Sequence, residues 1–282
     1  MGVVERHELD HEHAERAVAR LTARLHEARE DIETDTLGPG LAMDRSYHEF
    51  CQRCVADGRA AENATWLAMV RALQAGGALF LMATRPRGES VEFRYGEDTI
   101  RRAATGPTSD STSLTWLRTM YLAIVARDRA RVELLASVPI ELLRACAPER
   151  DDFEFAWIRA LQLFARGEDG LIDAVLQAMR DTEQLSPASV QEFVNVHFFP
   201  PMELFYHYTQ RDQAKFDASL PAALDLHKRY WATDPRNEVG LVALAPLAVA
   251  CLAHDAGMAI EVESDYLPHH PLVGTRVGEI ST

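Results

Sequence analysis

The sequence predicts a mainly α-helical protein made of stacked helical hairpins, an α-solenoid-like array of the TPR or HEAT type, with a small β-hairpin near 91–103. Three observations lead to this prediction. Apolar residues recur at helical spacing along most of the chain. Turns that carry an aspartate recur at a nearly constant interval. An uncharged apolar run at 241–253 is followed by a polar turn, by Gly257 and by a short alternating segment, as expected of a closing unit.

The N-terminal part is predicted to contain three helices. A Gly-Pro-Gly sequence at 38–40 should break the chain after the first helix, and Asp44 can cap the second. The third helix carries Gly76-Gly77, which implies close packing or a local bend. The expected helices cover 4–33, 45–57 and 60–84.

A small hairpin and a polar linker follow these helices. Residues 91–95 alternate between apolar and polar side chains, and 99–103 can pair back across a three-residue loop that contains glycine. Residues 105–113 are polar. We therefore place a boundary between an N-terminal helical subdomain, 1–104, and a repeat array, 105–282, and expect the two parts to form one compact unit.

The predicted array is marked by four turns in which an apolar helix ends next to an aspartate. These turns recur roughly every 42 residues, a period typical of stacked helical hairpins. In the fourth unit an extended segment, 260–265, takes the place of the second helix, as a terminal unit should differ from the others. The turns are Arg127-Asp128, Glu168-Asp169, Arg211-Asp212 and His254-Asp255.

Composition restricts the classes of function. The 282 residues carry a net charge of −14, which disfavours a nucleic-acid partner because phosphate binding needs a basic surface. The N-terminal residues are charged and lack the apolar core of a signal peptide. The longest apolar run is short and contains Pro246, so we expect no membrane span. Four cysteines do not form a disulfide framework, and a cytoplasmic location with reduced thiols is expected.

Two short motifs suggest metal or redox chemistry, and each has a simpler structural explanation. Residues 7–11 match the H-E-x-x-H pattern of zinc proteases, but in a highly polar stretch that can enclose no metal. Cys51 and Cys54 form a lone C-x-x-C, which suits the inner face of a helix better than a zinc or redox site. We expect no metal, no cofactor and no catalytic residues.

The C-terminal acidic stripe is the predicted partner-binding site. Glu261, Glu263 and Asp265 project to one side if their segment is extended, and neither Lys nor Arg occurs from 237 to 275. Such a cluster can bind a cation or meet basic side chains of a partner. A solvated edge that discourages strand pairing is an equally good explanation. Tyr266 can anchor an interface or cap the core. The predicted site comprises Glu261, Glu263, Asp265, Tyr266, His254 and Asp255.

Several segments resemble the immunity protein 49 family of bacterial polymorphic-toxin systems. Trp116-Leu117 leads into LAIVARD at 122–128, VPIELLRA and ELFYHYTQRD follow, and the closing motif is EVESDYLP at 261–268. The resemblance is strongest from 77 to 268. It implies a predominantly α-helical cytoplasmic protein that is encoded near toxin genes and protects its producer by binding a toxin.

Three functional hypotheses follow. The leading one is a non-enzymatic immunity protein whose partner is a cognate protein toxin; a basic toxin, such as a nuclease, suits the acidic charge. The second is a helical-repeat adaptor that binds an endogenous protein. The third is a metal-dependent hydrolase, which would need the N-terminal histidines or the acidic stripe to hold a metal ion.

Overall fold

The computed structural model describes residues 2–186 and 190–282. The first part contains strand β1 (Gly2–Val3), helices α1 (His11–Ala23), α2 (Leu25–Thr34), α3 (Gly38–Ala56) and α4 (Asn63–Ala83), and strands β2 (Ser90–Tyr95) and β3 (Asp98–Ala103). The second part contains α5 (Ser113–Val125), α6 (Arg129–Ala136), α7 (Ile140–Cys146), α8 (Asp152–Arg166), α9 (Leu171–Asp181), α10 (Gln191–His197), α11 (Phe199–Thr209), α12 (Gln213–Trp231), a 3-10 turn (Glu238–Leu241), α13 (Leu244–Asp255), β4 (Val262–Glu263) and α14 (His269–Val273). The predicted mainly α-helical class is confirmed.

The prediction of one helix over 4–33 is wrong in two respects: the helix begins later, and two helices replace one. Residues 4–10 are not helical, because Asp10 caps α1 by accepting a hydrogen bond from the His13 amide at 2.9 Å. Arg24 then separates α1 from α2. The seven residues before α1 are therefore free to pack elsewhere in the fold.

The Gly-Pro-Gly sequence begins a helix instead of breaking one. Helix α3 starts at Gly38 with Pro39 in its first turn, where the missing amide proton costs no hydrogen bond. The predicted start after Asp44 is therefore wrong. Asp44 lies inside α3, where its carboxylate pairs with the guanidinium of Arg118.

Helix α4 forms the centre of the core. A Cβ atom added at Gly76 would lie 2.4 Å from Oγ1 of Thr119, and one added at Gly77 would lie 2.8 Å from Nε of Arg131. The Gly76-Gly77 pair therefore permits close packing of α4 against α5 and α6, which is one of the two explanations predicted for it.

We expected no membrane span because the longest apolar run is short and contains Pro246. Helix length and composition alone do not exclude one. Helix α4 and residues 238–255 are both long and apolar enough to cross a bilayer by these criteria alone. In the fold, 83% of the most apolar window of α4 is buried, because it packs against α3 and α5. Core packing thus accounts for the apolar character of α4.

The predicted β-hairpin is present, with a shorter turn than expected. Strands β2 and β3 pair antiparallel from Ser90–Ala103 to Tyr95–Asp98, so only two residues connect them. The first of these, Gly96, has a φ of 62°, which suits glycine. Its amide donates to Oε1 of Gln74 on α4 at 2.7 Å, which fixes the turn against the core.

The four predicted turns share one backbone geometry. In each, a residue in the left-handed conformation follows the helix, and the next amide donates to the carbonyl five residues earlier at 2.9–3.0 Å. This arrangement is a Schellman cap. The left-handed residues are Arg127, Gly167, Arg211 and Gly257.

The aspartates themselves are not equivalent. Asp128 and Asp212 cap the following helix by accepting amide hydrogen bonds, whereas Asp169 precedes a helix capped by Gly170, and Asp255 is the last residue of α13. The repeated structural feature is therefore the left-handed cap and not the acid.

The helices that these turns join pack in pairs, α5 with α6, α8 with α9 and α11 with α12, as predicted for hairpins. The solenoid arrangement of the pairs stays a prediction.

One large apolar cluster includes residues from both predicted subdomains, with Phe50 and Trp66 on one side of the linker and Trp116 and Trp157 on the other. The boundary between 104 and 105 stays a prediction. Trp116, Trp157 and Phe205 are fully buried in this cluster, whereas Tyr206 and Leu252 are partly buried and pack against it.

We predict large losses of stability when either buried tryptophan is truncated. The Trp116 indole donates to the Leu135 carbonyl at 3.0 Å, and the Trp157 indole donates to the Tyr121 hydroxyl at 2.7 Å. Trp116→Ala and Trp157→Ala should each lower the free energy of unfolding by about 3–5 kcal/mol, because each leaves a cavity and an unpaired acceptor. Urea denaturation measures this loss. Leu41→Ala, at an exposed position, should change it by less than about 0.5 kcal/mol. Losses below about 1 kcal/mol for both tryptophan variants would show that the core faces are assigned wrongly.

Candidate functional site

The two ends of the chain meet at the predicted partner-binding segment. Strand β1 pairs parallel with β4, with Gly2 opposite Val262 and Val3 opposite Glu263. The amide of Val4 extends this pairing by donating to the carbonyl of Glu263 at 2.9 Å. The acidic segment is therefore held along one edge by the N-terminal residues and is not an unpaired edge strand.

A buried tyrosine fixes this junction. Tyr266 is fully buried, and its hydroxyl accepts the backbone amide of His7 at 3.0 Å and lies 2.6 Å from Nδ1 of the same residue. Burial lowers the pKa of His7, so its ring is neutral at pH 7, and the tautomer decides whether Nδ1 or the Tyr266 hydroxyl donates in this hydrogen bond. The guanidinium of Arg6 lies 5.8 Å from the Tyr266 ring and donates to the Cys54 carbonyl at 2.9 Å.

A groove of about 550 Å³ lies between this junction and the ends of α13 and α14. Its apolar surface comes from Val4, Met258, Val262 and Leu272, which are all largely buried. Charged and titratable groups line the same groove: Glu5, Arg59, His254, Glu263, Asp265 and His269. Protein interfaces commonly combine an apolar centre with a polar rim, and the rim of this groove is mainly acidic.

The structure brings together only some of the predicted site residues. Glu263 and Asp265 are exposed and line the groove, and Glu261 is exposed but lies outside it. The extended segment ends at Glu263, because a turn closed by the Leu267 amide and the Ser264 carbonyl, 3.0 Å apart, follows it. Glu261 and Glu263 therefore follow the predicted alternation of outward-facing acids. Asp265 lies in the turn, so its position does not result from this alternation.

His254 and Asp255 lie at the end of α13 and have different environments. His254 lines the groove. Both carboxylate oxygens of Asp255 pair with Arg127, each at 3.0 Å, and the same guanidinium donates to the Leu272 carbonyl at 2.7 Å. The charge of Asp255 is therefore matched within the chain, and this residue joins α5, α13 and α14.

Tyr266 presents no exposed surface, so of its two predicted roles it has the one that caps the core.

The residues of the H-E-x-x-H match and of the C-x-x-C lie where their roles are structural. His7 lies in the non-helical residues before α1 and His11 begins α1, so the two do not share a helical face. Cys51 and Cys54 are buried on α3, and burial raises the pKa of Cys51 to about 12, which leaves it a protonated thiol. Among the described residues, no group of three or more His, Cys, Asp or Glu could hold a metal ion.

The sequence reasoning missed the groove residues that come from outside the acidic stripe. Val4 and Glu5 lie within the predicted helix 4–33, and Val3 directly precedes it, although the adjacent β-branched residues Val3 and Val4 are typical of a short strand. Arg59 follows α3, and His269 begins α14. No local pattern connects either of them with the acidic stripe.

Comparisons with known proteins agree with the resemblance in the sequence. The family model described as Immunity protein 49 matches residues 56–270, which is well over half of the chain. No curated protein matches the chain, and no solved structure matches it. The chain therefore belongs to the immunity protein 49 family. The match begins at the last residue of α3 and ends within α14. It therefore includes Glu263 and Asp265 but not residues 3–5 of the groove.

We predict that acid weakens this junction through its buried histidines. The His227 ring packs against Tyr266 at 4.8 Å, and burial lowers the pKa of His227 to about 3. The unfolded chain binds this proton near pH 6.5 and the folded chain does not, so the stabilisation is complete above pH 6.5 and is lost as the pH falls. His227 alone should account for about 2 kcal/mol of lost stability between pH 7.5 and pH 5.

The test compares urea unfolding of the wild type and of His227→Phe at pH 7.5 and pH 5. Phenylalanine keeps an aromatic ring beside Tyr266 and cannot be protonated, so the variant should lose less stability on acidification. An equal loss in the two proteins would contradict the assignment of a neutral buried His227.

Proposed function

We propose that this chain is an immunity protein that binds and neutralises a cognate protein toxin without catalysing a reaction, and that the groove between β1, β4 and α14 is its binding surface. The observation that carries the proposal is the coincidence of family membership with an acidic, apolar-floored groove inside the matched region. An immunity protein must be inside the cell that it protects in order to meet the toxin there. We therefore propose that the chain acts in the cytoplasm of the cell that produces it.

The charge of the chain supports a basic toxin as the partner. A net charge of −14 attracts a basic protein over long distances and raises its association rate. Exposed carboxylates at Glu5, Glu263 and Asp265 concentrate negative charge at the groove. A toxin that acts on nucleic acid carries a basic surface of the kind that these groups would meet, and the chain itself, being acidic, is not expected to bind nucleic acid or a membrane.

The shape of the groove supports insertion of a side chain from the toxin. Protein interfaces gain most of their free energy from a few anchors that enter apolar pockets surrounded by polar groups. Val262 and Leu272 supply the apolar contact, and the acids around them would pair with Lys or Arg on the same partner. No bond-making chemistry is needed for this mode of protection.

Two other functions remain as alternatives in the test. An adaptor would capture an endogenous protein and give no protection from the toxin. A metal-dependent hydrolase would need the N-terminal histidines or the acidic stripe to hold a metal ion, and His7 is buried against Tyr266. The direct experiment is co-expression with the open reading frame adjacent to the gene, with cell survival and co-purification as readouts. Survival together with a stable complex supports immunity, and failure of both contradicts it.

We predict that removal of the acidic stripe slows toxin capture without unfolding the chain. The triple variant Glu261→Gln, Glu263→Gln, Asp265→Asn changes three exposed groups that make no ion pair within the described residues. Exposed charges act mainly on the association rate, so binding to the adjacent toxin should slow by about tenfold at low salt, and the difference should shrink as salt rises. Stopped-flow or surface-plasmon kinetics measure both effects.

A matched control separates the groove from net charge. Glu141→Gln, Glu149→Gln, Asp173→Asn removes the same number of charges from exposed positions near α7 and on α9. These three groups make no ion pair among the residues that the structure describes, and neither α7 nor α9 has extensive contacts to β4. This control should slow association only slightly. Equal slowing by the two triple variants would mean that only the overall charge matters, and wild-type kinetics in the stripe variant would place the interface elsewhere.

A further inference from the structure

The two-stranded sheet formed by β1 and β4 has an outer edge with unpaired backbone groups. In a parallel pair, the amide and carbonyl groups of alternate residues face the neighbouring strand. The Val4 amide faces β4, because it donates to the Glu263 carbonyl at 2.9 Å. The amide and carbonyl of Val3 therefore point away from β4, and neither has a hydrogen-bond partner among the residues that the structure describes.

This outer edge is open to solvent. Val3 is 66% exposed, the largest value among the exposed large apolar residues in the described part of the chain. Gly2 before it and Glu5 after it are exposed as well, whereas Val4 and His7 are buried. Strand β1 is thus fixed on its inner side and accessible on its outer side.

The contacts that hold β1 in place come from this chain alone. The guanidinium of Arg6 donates to the Cys54 carbonyl at 2.9 Å and also to the Asp265 carbonyl. The His7 amide donates to the Tyr266 hydroxyl at 3.0 Å. A strand that added to β1 would therefore meet a preformed edge, and less entropy would be lost on binding than if the edge had to become ordered first.

The sequence of the edge contains few of the features that prevent strand pairing. Exposed edges are templates for another chain, and many proteins shield them with Lys, Pro, a bulge or a covering loop. Residues 2–5 read Gly-Val-Val-Glu, without Lys or Pro. Glu5 is the charged residue among them, so the edge is guarded against acidic surfaces and remains open to basic ones.

The charges beside the edge favour a basic occupant. Val3 lies opposite Glu263, and side chains alternate along a strand, so Val3, Glu5 and Glu263 share the outer face of the sheet. Glu5, Glu263 and Asp265 make no ion pair within the described residues, and Arg59 is the basic residue that lines the same groove with them. A second copy of this chain would bring the same acids to the edge, and like charges opposite each other in a strand pair are destabilising.

We propose that the outer edge of β1 receives an extended, basic segment of the toxin, which pairs with the Val3 amide and carbonyl as a third strand. In this mode of recognition, backbone hydrogen bonds supply affinity and neighbouring side chains supply specificity. Lys or Arg of the added strand pairs with Glu5 and Glu263, and an apolar side chain packs on Val3. This inference rests on the proposed function, because it specifies how the toxin meets the same groove.

The variant Val3→Pro tests the edge directly. It removes the outward amide and leaves the inward-facing groups of Gly2 and Val4, and proline is tolerated on edge strands where its missing amide proton would face solvent. With the toxin encoded beside the gene as the probe, the dissociation constant should rise about tenfold, as expected for one to two lost hydrogen bonds. This loss should persist at high salt, unlike the effect of the stripe variant, because salt screens exposed charges. Titration calorimetry at two salt concentrations measures both.

Val3→Thr is the matched control, since threonine keeps the β-branched shape and the backbone amide. It should bind within about twofold of the wild type. NMR hydrogen exchange at the Val4 amide shows whether β1 still pairs with β4 in each variant. If Val3→Pro binds as tightly as the wild type while the Val4 amide stays protected, strand addition is wrong and the groove proposal stands. If the wild type neither binds this toxin nor protects cells from it, both proposals fail.

A second measurement uses only the wild type, so it decides the question even if Val3→Pro detaches β1. The Val3 amide should exchange rapidly in the free protein and become protected in the complex with the toxin, because it gains an acceptor. Equally fast exchange at Val3 in both states would contradict strand addition. Sedimentation of the free chain checks the other occupant: a dimer that Val3→Pro abolishes would assign the edge to a second copy and overturn the proposal.

Discussion

The hydroxyl of Tyr266 is the group on which the arrangement of the C-terminal region depends. It lies in the core, where an unsatisfied hydroxyl would cost free energy, and the N-terminal segment satisfies it through the amide and ring of His7. The backbone of Tyr266 also accepts the Ala243 amide at 3.1 Å, at the start of α13. One residue thus joins the N-terminal strand, the acidic segment and the last long helix.

Because of this connection, the side chains of the acidic segment have fixed directions. Val262 faces the core while Glu261 and Glu263 face solvent, since a strand pair held at both β1 and Tyr266 cannot slip by one residue without reversing every side chain. The pair formed by Arg127 and Asp255 holds the other wall of the groove by joining the end of α5 to α13. A surface whose charges are fixed before binding loses less entropy when a partner arrives.

Patterns that act over short distances along the chain predicted most of the helices and the hairpin. Apolar spacing identified α4, and alternation identified β2 and β3. The aspartate turns were located correctly, but the shared feature was the left-handed cap, which Arg127 and Arg211 adopt without the glycine that usually signals it. A non-glycine residue in this conformation leaves no mark in the sequence.

The sequence predicted the groove residues of the acidic segment but not those that reach the groove from distant parts of the chain. Glu263 and Asp265 stand out locally as acids, whereas Glu5 joins them through a strand pair whose partners lie more than 250 residues apart in the sequence. The burial of Tyr266 also depends on contacts between segments that are distant in the sequence. Composition and periodicity contain no information about such contacts.

Hydrogen exchange of the chain, alone and bound to the toxin encoded beside its gene, tests the central claim most directly. Amides at a binding surface exchange more slowly when a partner excludes water or rigidifies the backbone. If the groove binds the toxin, protection should rise at residues 2–6 and 257–265, with little change in α7 and α9. Protection concentrated in α7 and α9, with unchanged exchange at both groove segments, would contradict the assignment of this groove as the toxin-binding surface.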